Sequence, residues 1–307
     1  MRRIVLAAVL AGVLAGPALT PSSQAASPDP AAAPGAIETP RSAFAEALRQ
    51  ATGAPARAGL GDQATVRLSD DLLLVPKEPA ARVLNVSNLP VPKGFVALLI
   101  GSDGMDAPGM VTFVPSGFVD SDAVAAWTAD DILSSLRNTV EQQNPDRIQH
   151  GLQPLEARRW LLPPTYNPAK HQLSWAALII PRSAPRESGG EVTFHAIGFG
   201  RNGYIHLSVV SSEQAASSAQ RMIAAFLDGL NFRPGKAYSD VNSQDRRSPN
   251  GLEGAMGIIS LAKAHPSDSF WSSDRAIPLV GGAVAAIGVL ALFLNLHRQM
   301  RLNSRRM

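Results

Sequence analysis

Histidine and aspartate are the residue types in this chain that could support acid–base catalysis or bind a metal ion. None of the six histidines stands in the H-x-x-x-H or H-E-x-x-H spacing that turns two imidazoles toward one metal. An aspartate cluster that includes Asp120 and Asp122 lacks the twelve-residue loop, with its central glycine and final glutamate, of a calcium site. The spacing therefore predicts no metal and no cofactor, and it predicts solvated acids in this loop.

Nucleophilic catalysis has no signature in the chain either. There is no cysteine, which excludes a cysteine nucleophile, thiolate metal ligands and disulfide bonds. No serine lies in a G-x-S-x-G elbow. Residues 198–203 match the dinucleotide-binding pattern G-x-G-x-x-G, but an alternating strand follows where that site needs a helix. We therefore predict no catalytic residue, and we interpret Asn202-Gly203 as a type I′ hairpin turn.

The predicted hairpin also places two histidines. Pairing Arg201 with Tyr204 puts His195 and His206 on one face, about 13 Å apart along the strands, which is too far for one metal ion. His171 stands alone in the sequence and is predicted to be an ordinary polar residue. The other face of the hairpin is apolar and is predicted to face the core. Its residues are Phe194, Ala196, Ile205, Leu207 and Val209.

Two apolar segments lie at opposite ends of the chain. Residues 4–16 follow two arginines and precede a small-residue exit at Ala25, which predicts a signal peptide over residues 1–25 or, alternatively, an uncleaved anchor. Residues 276–294 carry no charged or polar side chain and would form a helix about 28 Å long, enough to span a bilayer. Arginines follow this segment, so the positive-inside rule places the C-terminus in the cytoplasm and the preceding domain in the periplasm.

The stretches between and after these segments define the predicted domains. Residues 26–40 are rich in alanine and proline and predict a linker, and residues 41–264 predict one periplasmic domain. A juxtamembrane linker at residues 265–275 and a basic cytoplasmic tail at residues 295–307 complete the chain. Because the excess positive charge lies in the signal and this tail, the pI of about 9.5 indicates topology and predicts no nucleic-acid partner.

Hydrophobic periodicity in the folded domain alternates between strand and helix patterns. The clearest helix covers residues 129–142, with Thr128 as N-cap, and is predicted to end at Asn144-Pro145. A second amphipathic helix follows a run of alternating strands and is predicted to begin after Ser211. We therefore predict an α+β fold, namely a mainly antiparallel sheet with packed amphipathic helices, plus a single C-terminal transmembrane helix.

Glycines, aromatic residues and acids recur in a recognisable order through the domain. The residues are Gly117, Phe118, Val119, Asp122, Trp127, Ala129, Asp130, Leu133, Trp160, Pro164, Tyr166, His171, Leu173, Trp175, Gly200, Arg201, Gly203, Phe232, Gly235, Tyr238 and Asp240. From about Ala64 to about Ala264 this pattern resembles a family of uncharacterised bacterial membrane-anchored proteins, a domain of unknown function. The resemblance implies an exported domain with a C-terminal anchor and no established activity.

Two functions stay open at this point. The first is a non-catalytic periplasmic binding or assembly module, with speculative binding residues at Asp120, Asp122 and Tyr166 in the loops that the resemblance singles out. The order of elements over residues 172–230 is also similar, more weakly, to PsbP-like and Mog1-like domains, which are mostly modules of this kind. The alternative is an envelope hydrolase that uses an Asp/His pair assembled in the fold.

The predicted partners follow from these features. Residues 276–294 are expected to bind the inner membrane, and the domain is expected to bind an envelope protein, a lipid or a glycan. Gly281, Ala285 and Gly288 form a small-residue face in the predicted membrane helix and could let a second helix approach closely.

Overall fold

The computed structural model describes residues 38–101, 108–121, 127–149, 151–185 and 190–256, without the side chains of Glu191 and Glu253. These residues all belong to one compact unit that begins at Glu38. The predicted signal peptide, membrane segment and basic tail lie outside the described residues, as does the predicted small-residue face. Within the described ranges, no helix is long and apolar enough to cross a membrane.

The main layer is a sheet of eight strands in which every neighbouring pair runs antiparallel. Valine, isoleucine, leucine and phenylalanine dominate its central strands, as expected for a sheet buried on both faces. The strands, in their order across the sheet, are β1 (Thr52–Gly53), β4 (Leu72–Pro76), β5 (Phe95–Gly101), β6 (Gly109–Val114), β10 (Gly203–Ser212), β9 (Glu191–Gly200), β8 (Gln172–Pro181) and β7 (Leu155–Asn167).

A smaller antiparallel sheet and five helices complete the fold, so the predicted α+β class with a mainly antiparallel sheet is confirmed. The small sheet has the order β11 (Leu230–Phe232), β3 (Ala64–Arg67), β2 (Arg57–Leu60). The helices within the described residues are α1 (Pro40–Arg49), α2 (Lys77–Val86), α3 (Ala129–Gln149), α4 (Ala216–Gly229) and α5 (Gly251–Met256).

One face of the large sheet packs against α4 and the small sheet in a single hydrophobic core. Because side chains alternate along a strand, one set of positions on β9 and β10 supplies this core. These are the positions that the sequence predicts to be apolar and buried, and the prediction is confirmed. They are Phe194, Ala196, Ile205, Leu207 and Val209.

The opposite face of the large sheet is buried as well, by two separate apolar clusters. Helices α1 and α2 cover the part formed by β4, β5 and β6. The start of α3, helix α5 and several aromatic side chains cover the part formed by β8, β9 and β10. Polar residues that share this face are therefore taken out of water, and they are Thr112, His195, His206 and Ser208.

Helix α3 runs along the edge strand β7 and bonds to its backbone. The Asn144 side chain donates to the carbonyl oxygen of Leu155 at 3.0 Å and accepts from its N–H at 2.8 Å. Arg137 donates to the carbonyl oxygen of Ala157 at 3.1 Å. The prediction that this helix ends at Asn144-Pro145 is wrong, because these contacts hold the chain helical through Pro145 to Gln149. They also satisfy backbone groups on a strand edge that would otherwise be open.

Candidate functional site

The hairpin between β9 and β10 turns one residue earlier than the sequence predicts, so the predicted Asn202-Gly203 turn is wrong and each residue of β9 pairs two positions away from its predicted partner. Gly200 pairs with Gly203, so Arg201 and Asn202 form the loop. Gly203 has a φ of 146°, and a Cβ there would lie 2.0 Å from the carbonyl oxygen of Val114 on β6. Gly203 therefore lies inside the paired sheet, at a position where any side chain would clash with the backbone of β6. Arg201 is held outside by two hydrogen bonds to Asp245, at 2.8 and 2.9 Å.

This register brings two histidines together. His206 lies opposite Ile197, and His195 lies opposite Ser208, so the two imidazoles are diagonal neighbours. His195 Nδ1 and His206 Nε2 are 3.0 Å apart, and the prediction of a wide separation is wrong. The ring centroids lie 5.3 Å apart with an interplanar angle of 12°. The two nitrogens therefore point at each other, and one donates a hydrogen bond to the other.

A tryptophan covers this histidine pair. Trp175 lies opposite His195 in the register of β8 and β9, and its ring stacks on the imidazole with 4.7 Å between centroids. On the other flank, Thr112 lies opposite His206. The buried Thr112 Oγ1 has no hydrogen-bond partner among the described residues. The Trp175 ring thus flanks the two imidazoles on the side of His195, and Thr112 flanks them on the side of His206.

Burial determines the charge state of the pair. It lowers the pKa of His206 to about 4. Burial, and then the nearby His206, lower the pKa of His195 well below its usual value. Both imidazoles are neutral near pH 7. A zinc ion needs about 2.0–2.1 Å to each nitrogen, and two nitrogens that face each other across 3.0 Å leave too little room for it.

Two of the three predicted binding residues, Asp120 and Tyr166, lie at one end of the sheet. Asp120 is exposed, in the loop before Ser121. Tyr166 is half-buried near the end of β7, and its hydroxyl lies 2.6 Å from Ser121 Oγ. The structure thus brings the loop of Asp120 against Tyr166. Asp122 lies outside the described residues.

His171 and Tyr238 extend this contact into a cluster, which we call the Tyr166 cluster: Ser121, Tyr166, His171 and Tyr238. The Tyr166 hydroxyl lies 3.3 Å from His171 Nδ1. The ring of Tyr238 stacks on His171 at 3.7 Å, and its hydroxyl accepts the Ser121 N–H at 3.1 Å. His171 is therefore a packed member of a network of tyrosine and serine side chains, which its isolated position in the sequence did not indicate.

A cationic side chain borders the Tyr166 cluster. Phe118 packs against Tyr238 with 4.6 Å between ring centroids, and the Arg247 guanidinium lies 4.7 Å from the Phe118 centroid. Two backbone hydrogen bonds hold these segments together: Phe118 N–H donates to Arg246, and Ser248 N–H donates to Phe118, both at 2.8 Å. The cluster and its border thus join three stretches of chain that are far apart in the sequence, namely residues 118–121, 166–171 and 238–248.

Sequence reasoning missed three residues of this region, namely Ser121, Tyr238 and Arg247. Tyr238 belongs to the residue pattern that carries the family resemblance, and this was the sequence feature that could have pointed to it. Ser121 is fully buried, so its hydroxyl serves the network and does not face a substrate. Within the described part of the chain, no group of three or more histidines and acids is placed to hold a metal ion. Half-exposed aromatic rings with hydroxyl and cationic groups are suited to recognition by stacking and hydrogen bonding.

Comparison with known proteins identifies the family. The family model described as a protein of unknown function, DUF2167, matches residues 53–264, which is more than half of the chain. The chain belongs to this family. No curated protein matches it. The solution structure of the cyanobacterial PsbP protein CyanoP from Synechocystis is similar at a TM-score of 0.35 and 10% identity, over 58% of this chain and 92% of that chain.

Proposed function

We propose that this member of the DUF2167 family is a membrane-anchored protein of the bacterial envelope whose folded domain is a non-catalytic binding or assembly module. The observation that carries the proposal is the Tyr166 cluster, in which distant segments place half-exposed aromatic and hydroxyl groups beside the exposed Asp120. Such surfaces, with an aromatic anchor and polar neighbours, are typical of recognition sites.

The anchoring part of the proposal is supported by the sequence of the two ends. Residues 1–25 have the parts of a signal peptide, and the apolar residues 276–294 precede a run of arginines. The folded domain would then sit in the periplasm, tethered to the inner membrane, with the C-terminus in the cytoplasm. A face of Gly281, Ala285 and Gly288 could bring a second membrane helix alongside.

Reporter fusions test this orientation. An enzyme active only in the periplasm is expected to work when fused after His265, and one active only in the cytoplasm is expected to work when fused after Arg306. The physical reason is that the arginine-rich tail resists translocation. The matched control exchanges the two reporters between the two positions, where both should be inactive. Activity in the exchanged fusions would contradict the orientation.

A binding module is favoured over the alternative hydrolase by the surroundings of the histidines. The hydrolase needs a carboxylate against an imidazole. His171 instead lies against two tyrosine side chains, and His195 lies against His206 and an indole ring. In these contacts each imidazole has an aromatic or imidazole partner in place of a carboxylate. We therefore propose that the domain recognises a protein, a lipid or a glycan of the envelope.

Cross-linking capture from the native membrane tests the binding surface. The partner recovered with the wild-type chain is expected to be lost by about thirtyfold with Asp120→Asn or Tyr166→Ala, since a central anchor contributes about 2 kcal/mol or more. Asp70→Asn changes an exposed aspartate elsewhere and should leave recovery unchanged. Tyr166→Phe removes only the hydroxyl and separates ring packing from hydrogen bonding. Equal recovery with all of these variants would contradict the proposed surface.

A further inference from the structure

Two arginines lie directly opposite each other in the small sheet. Arg57 on β2 is the register partner of Arg67 on β3, and both side chains are exposed. Opposite residues in an antiparallel pair have Cβ atoms about 4.5–5.5 Å apart, and like charges at that separation destabilise the sheet. Water and salt screen part of this repulsion because both side chains are exposed, and an anion bound between them would offset the rest.

The described part of the chain supplies no such group to either guanidinium. Other arginines of the fold do have partners, such as Arg201 with Asp245 at 2.8 Å. The guanidinium groups of Arg57 and Arg67 form no hydrogen bond or ion pair with any described residue. Asp228 lies on the same cleft, but its carboxylate is bound by Lys170 at 2.9 Å. Two positive charges are thus left facing the same space.

That space is a cleft of about 600 Å³ between the small sheet and the C-terminal end of α4. Both arginines line it, together with Ser69, Ala56 and Leu68. Gly229 lines it as well, and a Cβ there would lie 2.2 Å from the carbonyl oxygen of Arg67, so α4 and β3 approach each other closely at this point. The lining of the cleft thus contains two arginines, a serine, apolar residues and the lysine-bound Asp228.

We infer that this cleft binds a phosphate group, which would lie between Arg57 and Arg67 and accept a further hydrogen bond from Ser69. Guanidinium groups present planar, paired donors that match the oxygens of phosphate, and two of them on one anion also remove the repulsion between the strands. The phosphate could belong to a soluble compound or to the headgroup of an anionic phospholipid, since both offer the same oxygens. This inference concerns a different surface from the Tyr166 cluster and does not rest on the proposed function.

Calorimetric titration of the full chain in a neutral detergent tests the site. Inorganic phosphate is the first ligand, and dihexanoyl phosphatidylglycerol is the second, with the zwitterionic dihexanoyl phosphatidylcholine, whose net charge is zero, as the comparison. Binding is expected to be saturable and to weaken about tenfold or more with either Arg57→Gln or Arg67→Gln, because each removes one charged donor. Arg41→Gln changes an exposed arginine on α1 and should bind like the wild type.

A thermal melt of the ligand-free variants provides a second readout. Arg67→Gln relieves the repulsion across β2 and β3, so its melting temperature without phosphate is expected to equal or exceed that of the wild type. Phosphate should raise the melting temperature of the wild type and not of this variant.

The outcomes distinguish the two sources of the phosphate. Binding of inorganic phosphate that depends on both arginines supports the site with a soluble ligand. Binding of phosphatidylglycerol alone, with the same dependence, supports the site with a lipid headgroup. Absence of saturable binding to either ligand would overturn the inference, and so would equal binding by the two arginine variants and the wild type.

Discussion

Replacing Trp175 with alanine is expected to lower the free energy of unfolding by about 3–5 kcal/mol, the usual range for truncating a buried tryptophan. The side chain is only 3% exposed and belongs to the apolar cluster beneath α5. It also stacks on His195, so its loss would leave a cavity beside the buried imidazole pair. Chemical denaturation of the full chain, followed by far-ultraviolet circular dichroism, measures the change.

Two further variants make this measurement specific. Trp175→Phe keeps a ring above His195 and should lose less stability than the alanine variant. Trp127 packs against the same apolar cluster but is only half-buried, so Trp127→Ala should also lose less. If the Trp127 and Trp175 alanine variants were equally destabilised, burial of the Trp175 ring would not be the cause.

Lowering the pH from 7 to 5 is expected to remove about 2 kcal/mol of stability through His206 alone, because its pKa falls from about 6.5 in the unfolded chain to about 4 in the fold. A histidine with a depressed pKa is neutral in the fold, so its contribution is complete above pH 6.5 and is lost as the pH falls toward the folded pKa. The lowered pKa of His195 acts in the same direction. Denaturation midpoints measured at intervals between pH 5 and pH 7 record this slope.

A variant of His206 identifies the source of the slope. His206→Gln keeps a polar side chain next to His195 but cannot take up a proton, so the share of the slope due to His206 should disappear and the share due to the buried His195 should remain. A slope that survives His206→Gln unchanged would show that the buried pair does not control acid stability.

Local patterns were sufficient for most of the regular elements. Period-two alternation identified the strands that precede α4, including the hairpin of β9 and β10, and apolar stripes at helical spacing identified α3 and α4. The short strands β1, β2 and β11 were not predicted, because two to four residues carry too little alternation. The length of α3 was underestimated. Pro145 favours a helix end at this position, but the hydrogen bonds between Asn144 and β7 accompany a helix that continues to Gln149.

The candidate site was predictable only in part. Asp120 and Tyr166 were selected together from the family resemblance, and the structure places the loop of one against the side chain of the other. The stacking of His171 on Tyr238 joins residues far apart in the chain, and no local spacing reports such a contact. The selection of Asp120 and Tyr166 as binding residues stays a prediction.

The sequence by itself determined the class of the fold, the face of the hairpin that packs inward and the family. These properties follow from side-chain alternation and from ordered motifs, which are local. Only the tertiary structure decided that His195 and His206 share a hydrogen bond. The faces of a hairpin survive a register shift of two residues, whereas the distance between two side chains does not. That register depends on the contact of Gly203 with Val114 on a third strand, which lies far away in the sequence.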